Sequence, residues 1–173
     1  IEVGCGAGGN LLEFLRFGYQ PDNLLGIELL EDSVSKANKV LPSGLVQLGD
    51  ALSANIPCTS YDIVYQSVVF SSLLDDAFQQ ALANKMWSWA KPGGGVLWYD
   101  FIYNNPSNPD VRGVPVKRVR QLFPMGKMIV RRVTLAPPIS RMVTRVHPFF
   151  YTLFNCCPFL RTHVLCWIQK PPS

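Results

Sequence analysis

The chain has 173 residues, of which 48% are hydrophobic and only 16% charged. This balance excludes a disordered segment and predicts a single globular domain over residues 1–173, with at least one element of that domain expected before Ile1. The longest apolar stretch, residues 147–160, is shorter than the roughly 20 residues that cross a bilayer, so we expect no transmembrane segment. It predicts a buried or interfacial helix instead.

Short apolar runs alternate with helical patterns along the first part of the chain. Asn10 is predicted to cap a helix that Gly18 ends, and a second helix begins with Glu31 and Asp32 in its first turn. The strands predicted between and around these helices cover residues 1–3, 24–28 and 45–48.

The same alternation continues in the second part. A strand begins at Tyr61, and Asp75 and Asp76 open a helix that runs to Trp89 and ends at the glycines after Lys91. A further helix at 115–123 and strands at 95–101, 127–135 and 163–170 follow. Strands joined by crossover helices predict an α/β fold with a mostly parallel sheet.

Two segments are longer than a connection needs, and we expect both to be insertions on the substrate side. They cover residues 103–114, which are rich in proline and asparagine, and residues 136–161, which are basic and aromatic.

The charges are distributed unevenly between the two parts. Residues 1–110 hold all twelve acidic and five basic residues, a net charge of −7, whereas residues 111–173 hold eleven basic residues and no acid, a net charge of +11. The basic part could attract an anionic sugar, glycan, carboxylate or lipid surface, or a nucleic acid. Acidic residues preceding Ile1 would instead neutralise it.

Five cysteines, an odd number without a Cys-x-x-Cys pair, favour a reducing compartment, and we expect a cytoplasmic protein. The only histidines, His147 and His163, do not stand at spacings that would build a zinc site with these cysteines, so no metal is predicted.

The turn after the first strand satisfies G-x-G-x-x-G through Gly4, Gly6 and Gly9. The motif alone does not separate a dinucleotide site from an S-adenosylmethionine site. Carboxylates supply the distinction, because Glu2, Glu28 and Asp50 end three successive predicted strands and would meet at one edge of the sheet. Singly, each could be a helix cap or a turn residue.

These carboxylates favour a cationic ligand over a phosphate. Glu28 can accept hydrogen bonds from both ribose hydroxyls of either cofactor, and Asp50 can reach an adenine amino group. A pyrophosphate would meet Glu2 with the wrong sign, whereas S-adenosylmethionine brings a cationic ammonium and sulfonium. An NAD-dependent oxidoreductase remains the weaker alternative.

In order along the chain, EVGCGAGG, GIE, GDA, YDIVYQSVVF and KPGGGVLWYDF resemble the motifs of the class I S-adenosylmethionine-dependent methyltransferases, especially the small-molecule enzymes of types 11 and 12. The resemblance covers nearly the whole chain, without the N-terminal helices usual in that family. It implies a Rossmann-like three-layer sandwich with a mostly parallel seven-stranded sheet, in which an antiparallel last strand lies between the fifth and sixth.

The resemblance also implies a role for each cofactor-site position. The methionine part of the cofactor would lie along Glu2, Gly4 and Gly6, the ribose at Glu28, the adenine along Asp50 and Ala51, and the methyl-bearing end near Gln66.

Methyl transfer is an in-line displacement that needs alignment and few obligatory side chains. Asp100, at the end of the fifth strand, and His147, in the second insertion, are the candidate catalytic residues, either as bases or as groups that orient the acceptor. Asp100 could equally cap the following loop, and His163 is predicted to be structural. Asp75 and Asp76 are better explained as helix caps than as metal ligands.

These features predict transfer of a methyl group from S-adenosylmethionine to an oxygen or nitrogen of a small-molecule or glycan-like acceptor, an anionic one if the basic part contributes. YQSVVFSS replaces the [DN]PPY motif, which argues against methylation of nucleic-acid bases. The alternative is a non-catalytic module that binds a partner or nucleic acid through its basic face. Intact Glu2, Glu28 and Asp50 argue against that alternative.

Overall fold

The computed structural model describes residues 1–106 and 108–172. A seven-stranded sheet in the order β3-β2-β1-β4-β5-β7-β6 forms the centre of this part of the chain. Only the pairs β5–β7 and β6–β7 are antiparallel, which confirms the predicted position and direction of the last strand. The strands are β1 Glu2–Val3, β2 Gly26–Glu28, β3 Val46–Leu48, β4 Tyr61–Ser67, β5 Ala90–Phe101, β6 Lys127–Leu135 and β7 Arg161–Gln169.

Helices connect the strands and cover the sheet. They are α1 Gly9–Arg16, α2 Glu31–Ala37, α3 Asp76–Trp89, α4 Val116–Leu122, α5 Pro137–Val146 and α6 Phe149–Asn155, with short 3₁₀ turns at Pro21–Asn23, Phe70–Ser72 and Pro158–Leu160. Among the described residues, no helix combines the length and apolarity needed to cross a membrane.

Two hydrophobic clusters show how the layers form. The larger one joins β4 and β5 to α3 and α4 and includes the fully buried Trp89 and Trp98. The smaller one joins α1 and α2 to the β2–β3 end of the sheet through residues such as Leu11 and Ala37. Ile27 belongs to the first cluster while the adjacent Gly26 abuts Leu11 of the second. Because neighbouring strand residues face opposite sides, the clusters lie on opposite faces, giving the predicted three-layer sandwich.

Helix α3 begins where the sequence predicts, because Asp75 is its N-cap and accepts hydrogen bonds from the backbone amides of Ala77 and Phe78. Its end differs from the prediction. The strand assignment of β5 begins at Ala90, directly after Trp89, so the following glycines lie within β5. A Cβ at Gly95 would collide with the carbonyl of Ile168 on β7, which explains the absence of a side chain there.

The prediction that Asn10 caps α1 was wrong. The helix begins at Gly9, with Gly8 as its N-cap in the left-handed region at φ 80°. Asn10 lies inside the first turn and donates a hydrogen bond from Nδ2 to Oε1 of Glu2 at 2.7 Å. Asn10 therefore lies past the N-cap position, and its side chain is directed toward the buried carboxylate on β1.

Both long segments leave the sheet at the carboxyl edge of the parallel strands. Phe101 at the end of β5 pairs with His163 on β7, which in turn pairs with Val133 near the end of β6. Segment 103–114 therefore projects from the edge that also bears the glycine turn; its Ser107 lies outside the described residues. Segment 136–161 projects from the same edge and contains α5 and α6.

Candidate cofactor site

The glycine turn between β1 and α1 is built from backbone conformations that favour glycine. Gly4 and Gly6 have φ values of 65° and 55°. A Cβ on Gly4 would lie 2.5 Å from Cγ2 of Val69, so the chain after β4 packs directly against the turn. The amide of Gly4 donates to the carbonyl of Ile27 on β2. The turn is therefore held on two sides, and its backbone approaches any ligand closely.

Glu28 ties the end of β2 to this turn. Its side chain is buried, with Oε2 accepting a hydrogen bond from the amide of Gly6 at 2.7 Å and Oε1 accepting one from the amide of Leu30 at 2.9 Å. Each carboxylate oxygen has a second lone pair for another donor. Two hydroxyls of one sugar could occupy these positions.

Asp50 and Ala51 follow β3 at the rim of the same region. Asp50 is exposed, and its Oδ1 accepts a hydrogen bond from the amide of Leu52 at 3.0 Å, which stabilises the turn. Ala51 is buried beside it.

A cleft of about 400 Å³ joins these residues. Its lining includes four of the predicted residues, Gly4, Glu28, Asp50 and Ala51, and, within the described part of the chain, no lysine or arginine. Its walls are otherwise mostly apolar and come from the ends of β1 and β2, the segment after β4, and α3: Val3, Ile27, Leu29, Leu30, Val68, Val69, Leu73, Phe78 and Leu82. The cleft therefore combines a flat apolar interior with carboxylates and lacks the cations that would favour a pyrophosphate.

Glu2 lies on the other side of β1, where it lines a second cavity of about 670 Å³ with Phe14, Tyr19 and Tyr65. Its Oε1 accepts the bond from Asn10, but its buried Oε2 has no hydrogen-bond partner among the described residues. Burial raises the pKa of Glu2 to about 7. A buried carboxylate oxygen without a partner can accept a hydrogen bond, and the ammonium group of a ligand that crosses the glycine turn would donate one.

Gln66 is fully buried and does not line the cleft. Its Nε2 donates to the carbonyl of Tyr99 at 3.2 Å and its Oε1 accepts from the amide of Val69 at 3.0 Å. Val68, which lies between Gln66 and Val69 in the chain, has φ 59°, a backbone conformation that is strained for a β-branched residue. Gln66 thus fixes a strained turn whose next residues form the cleft wall. No pattern in the sequence indicates this role for Val68, since valine is not a residue expected in this conformation.

The two predicted catalytic residues also lie outside the lining of the cleft. Asp100 has no exposed surface, and its oxygens accept hydrogen bonds from the amides of Ser71 and Phe101. Burial raises the pKa of Asp100 to about 6. It joins the 3₁₀ turn after β4 to the end of β5, whereas the alternative prediction has it capping the loop that follows β5.

His147 is exposed at the end of α5, and its Nδ1 accepts a hydrogen bond from the amide of Phe149 at 3.1 Å. A neutral imidazole that accepts at Nδ1 carries its proton on Nε2. In this arrangement His147 presents a donor. His163 is half-buried, stacks on Tyr99 and has a pKa lowered by burial.

Within the described residues, no cluster of three or more His, Cys, Asp or Glu side chains could hold a metal ion. Asp75 caps α3, and Asp76 forms an ion pair with Arg112.

The geometry defines a cleft at the carboxyl edge of a Rossmann-like sheet, lined by Glu28 and Asp50 and, among the described residues, by no basic side chain. The family model described as "Methyltransferase domain" matches residues 1–94, more than half of the chain. The chain therefore belongs to the methyltransferase domain family.

Known proteins with similar sequence and fold agree with this assignment. Over 113 residues, 63% of the chain, it is 27% identical to phosphoethanolamine N-methyltransferase 1 of Arabidopsis thaliana, and it spans only 22% of that protein's length. A methyltransferase structure from Methanosarcina mazei superposes with a TM-score of 0.70 at 14% identity, covering 98% of this chain and 91% of that one. One from Archaeoglobus fulgidus gives 0.70 at 16% identity, covering 97% and 84%.

Both of these solved structures are described as S-adenosylmethionine-dependent methyltransferases. The cofactor implied by the family and the fold is S-adenosylmethionine, and the residues present fit it. Glu28 offers free lone pairs for ribose, the apolar cleft suits adenine, and the orphaned oxygen of Glu2 suits a cationic group.

Proposed function

We propose that the chain is the cofactor-binding core of an S-adenosylmethionine-dependent methyltransferase that methylates an oxygen or nitrogen of a small-molecule or glycan-like acceptor. The observation behind this proposal is the site itself: an apolar cleft with Glu28 and Asp50, no cationic side chain in its lining, and a partnerless carboxylate oxygen on Glu2 across the glycine turn. Such a site attracts a cation and repels a phosphate.

In this proposal the adenosyl part lies in the cleft, with ribose at Glu28 and adenine between Asp50 and Ala51. The methionine part crosses Gly4 and Gly6 toward Glu2. Gln66 acts indirectly, because it holds the strained Val68 turn that forms the wall near the sulfonium.

When bound by Glu28, Asp50 and the glycine turn, the cofactor would supply an electrophilic methyl group for in-line transfer to the acceptor. The chain must then align the acceptor and exclude water. We assign Asp100 as a positioning residue that fixes the wall between β4 and β5. His147 would orient the acceptor by donating from Nε2.

The acceptor proposal rests on position and charge. Both insertions, 103–114 and 136–161, project from the carboxyl edge of the sheet, and the second is rich in arginine. The Arabidopsis relative is named for phosphoethanolamine, a small molecule with a phosphate and a nitrogen. An acceptor of this chemical kind would combine a methylatable nitrogen with an anionic group that arginine can bind.

The cofactor proposal is tested by calorimetric titration with S-adenosylhomocysteine. We expect micromolar binding that weakens by about 100-fold or more in Glu28→Ala, because two hydrogen bonds to a charged group are lost. Glu31→Ala removes an exposed carboxylate three residues away and should bind as the unmodified chain does. Circular dichroism establishes that the Glu28→Ala protein is folded.

Two outcomes would overturn the proposal. The absence of S-adenosylhomocysteine binding by the folded protein would leave a methyltransferase-like binding module. Tighter binding of NADH than of S-adenosylhomocysteine would favour the oxidoreductase alternative. If the cofactor binds, a screen of phosphorylated amines, sugars and nucleotide-linked glycans with methyl-labelled cofactor identifies the acceptor.

A further inference from the structure

Helices α5 and α6 form a hairpin, residues 137–160, whose own contacts are mainly with each other, with β6 and with the 3₁₀ turn Pro158–Leu160. Very little of the hairpin enters a core. Val143 is the one buried residue of α5, and α6 has none. Two helices of this kind obtain little stabilisation from the domain by burial, which leaves most of their apolar surface in contact with solvent.

The exposed apolar surface of this hairpin is large and ordered along the helices. Met142 and Val146 are one turn apart on α5, and Phe149 and Leu153 are one turn apart on α6, so each pair lies on one side of its helix. The exposed fractions are 63% for Met142, 74% for Val146, 60% for Phe149, 49% for Leu153, 37% for Phe154 and 75% for Phe159. A concentration of large apolar side chains on a surface marks an interaction site.

Arginines accompany the apolar side chains. Arg141 and Arg145 are also one turn apart on α5, and Arg131 and Arg132 are exposed on opposite faces of the adjacent β6, so one of these two lies on each side of the sheet. No acidic residue occurs after Asp110, and none of these four arginines forms an ion pair within the part of the chain that the structure describes. The hairpin surface is therefore apolar and cationic without internal neutralisation.

We propose that this hairpin docks the protein on a lipid bilayer that carries anionic headgroups. The apolar side chains would enter the boundary between headgroups and acyl chains, while the arginines would lie among the phosphates. Arginine side chains suit this position because their stems can follow apolar surface while the guanidinium stays polar.

Charge complementarity selects the bilayer among the possible occupants. In a symmetric dimer through this surface, the same arginines would face each other without any carboxylate. A nucleic acid would satisfy the arginines but leave Met142, Val146 and Leu153 against phosphates. An anionic bilayer satisfies both properties at once. Since the hairpin leaves the carboxyl edge of the sheet, docking would also bring that edge toward the membrane.

Co-sedimentation with vesicles tests the proposal. We expect the protein to bind vesicles of phosphatidylcholine with about 30 mol% phosphatidylglycerol, and to be released by about 0.5 M NaCl. Arg141→Glu/Arg145→Glu should weaken this partitioning by about 30-fold or more, since each arginine contributes roughly fivefold near an anionic surface. Val146→Ser/Phe149→Ser should weaken it comparably without changing the salt dependence.

Exposed residues elsewhere provide matched controls. Lys39→Glu reverses a charge, and Phe17→Ser removes a 77%-exposed ring outside the hairpin; both should partition like the unmodified protein. S-adenosylhomocysteine binding and melting temperature show that each variant is folded, and vesicle binding does not depend on the proposed methyl transfer.

Three results would overturn the docking proposal. One is the absence of vesicle binding, and another is equal binding to vesicles of phosphatidylcholine alone. The third is self-association by light scattering, or RNA binding, that the hairpin variants abolish while vesicles have no effect.

Discussion

Asp100 and His147 show how two residues selected for the same chemistry differ once their surroundings are known. Asp100 uses its carboxylate to hold the amides of Ser71 and Phe101, whereas His147 is exposed and uses Nδ1 to hold the amide of Phe149. Neither arrangement presents a free base to the cleft. Both residues therefore act through position in our proposal.

This assignment predicts contrasting variants. Asp100→Asn places an amide where two backbone donors need acceptors, so the melting temperature and the affinity for S-adenosylhomocysteine should both fall. His147→Gln should retain both, and should change kcat of methyl transfer by less than about tenfold, because a general base contributes about 100-fold or more. If kcat of His147→Gln instead falls by about 100-fold or more, and its pH profile loses the acidic limb, His147 is the base.

For individual residues, sequence reasoning was most successful where a motif specifies both residue type and spacing. Gly4 and Glu28 line one cleft, whereas Gly6 is not part of its lining. It was less successful for Glu2 and Gln66, which do not line that cleft. Glu2 points to the opposite side of β1 from Val3, and Gln66 binds the backbone around Val68. Such orientations depend on the pleat and on tertiary contacts, which a motif does not specify.

Among the elements, α3 is the one whose beginning the sequence defines most directly. Asp75 accepts from two backbone amides, and these hydrogen bonds lower its pKa. Asp75→Ala should lower the melting temperature by about 2–4 °C at neutral pH.

Because the folded state lowers this pKa, the stabilisation is present above the ordinary value and is lost as the pH falls through the folded value. The difference between Asp75→Ala and the unmodified protein should therefore diminish as the pH falls below the ordinary carboxyl pKa of 3.8. Asp22→Ala, at another exposed acid, serves as the control. An unchanged melting temperature in Asp75→Ala would contradict the capping role.

The strands were predicted from alternation and apolar runs, and β6 was placed at its observed bounds, Lys127–Leu135. The start of β5 was not, because the glycines after Lys91 were interpreted as a helix end. Gly95 packs closely against Ile168 of β7, more than seventy positions later, and Gly94 packs against the backbone of Asp62 on β4. The residues next to these glycines in the sequence do not indicate a contact with so distant a part of the chain.

At the scale of the whole molecule, buried carboxylates link stability to pH. Burial raises the pKa of Glu2 to about 7 and that of Asp100 to about 6. The folded state thus keeps protons that the unfolded state releases, so their contribution to stability decreases as the pH rises from about 4 to about 7.

Glu2→Gln isolates one of these contributions. At pH 5 the variant should melt close to the unmodified protein, since Glu2 is then mostly protonated when folded. At pH 8 the variant should be more stable, by an amount on the order of 3 kcal/mol at most. Melting curves at both pH values measure the difference. If Glu2→Gln is instead less stable than the unmodified protein, and more so at pH 8 than at pH 5, Glu2 is charged in the folded state.

The position of β7 between β5 and β6 has a consequence for biosynthesis. On the ribosome, β6 is completed before β7 exists, yet the backbone of β6 pairs with β7, and β6 reaches β5 through a side-chain hydrogen bond between Thr134 and Tyr99. Until residue 169 has emerged, β5 presents an open edge, and Trp167 and Ile168 cannot fill their places beside it. The sheet of the nascent protein therefore lacks β7 for the time it takes to translate the hairpin and β7. A chaperone that shields strand edges would act during that interval.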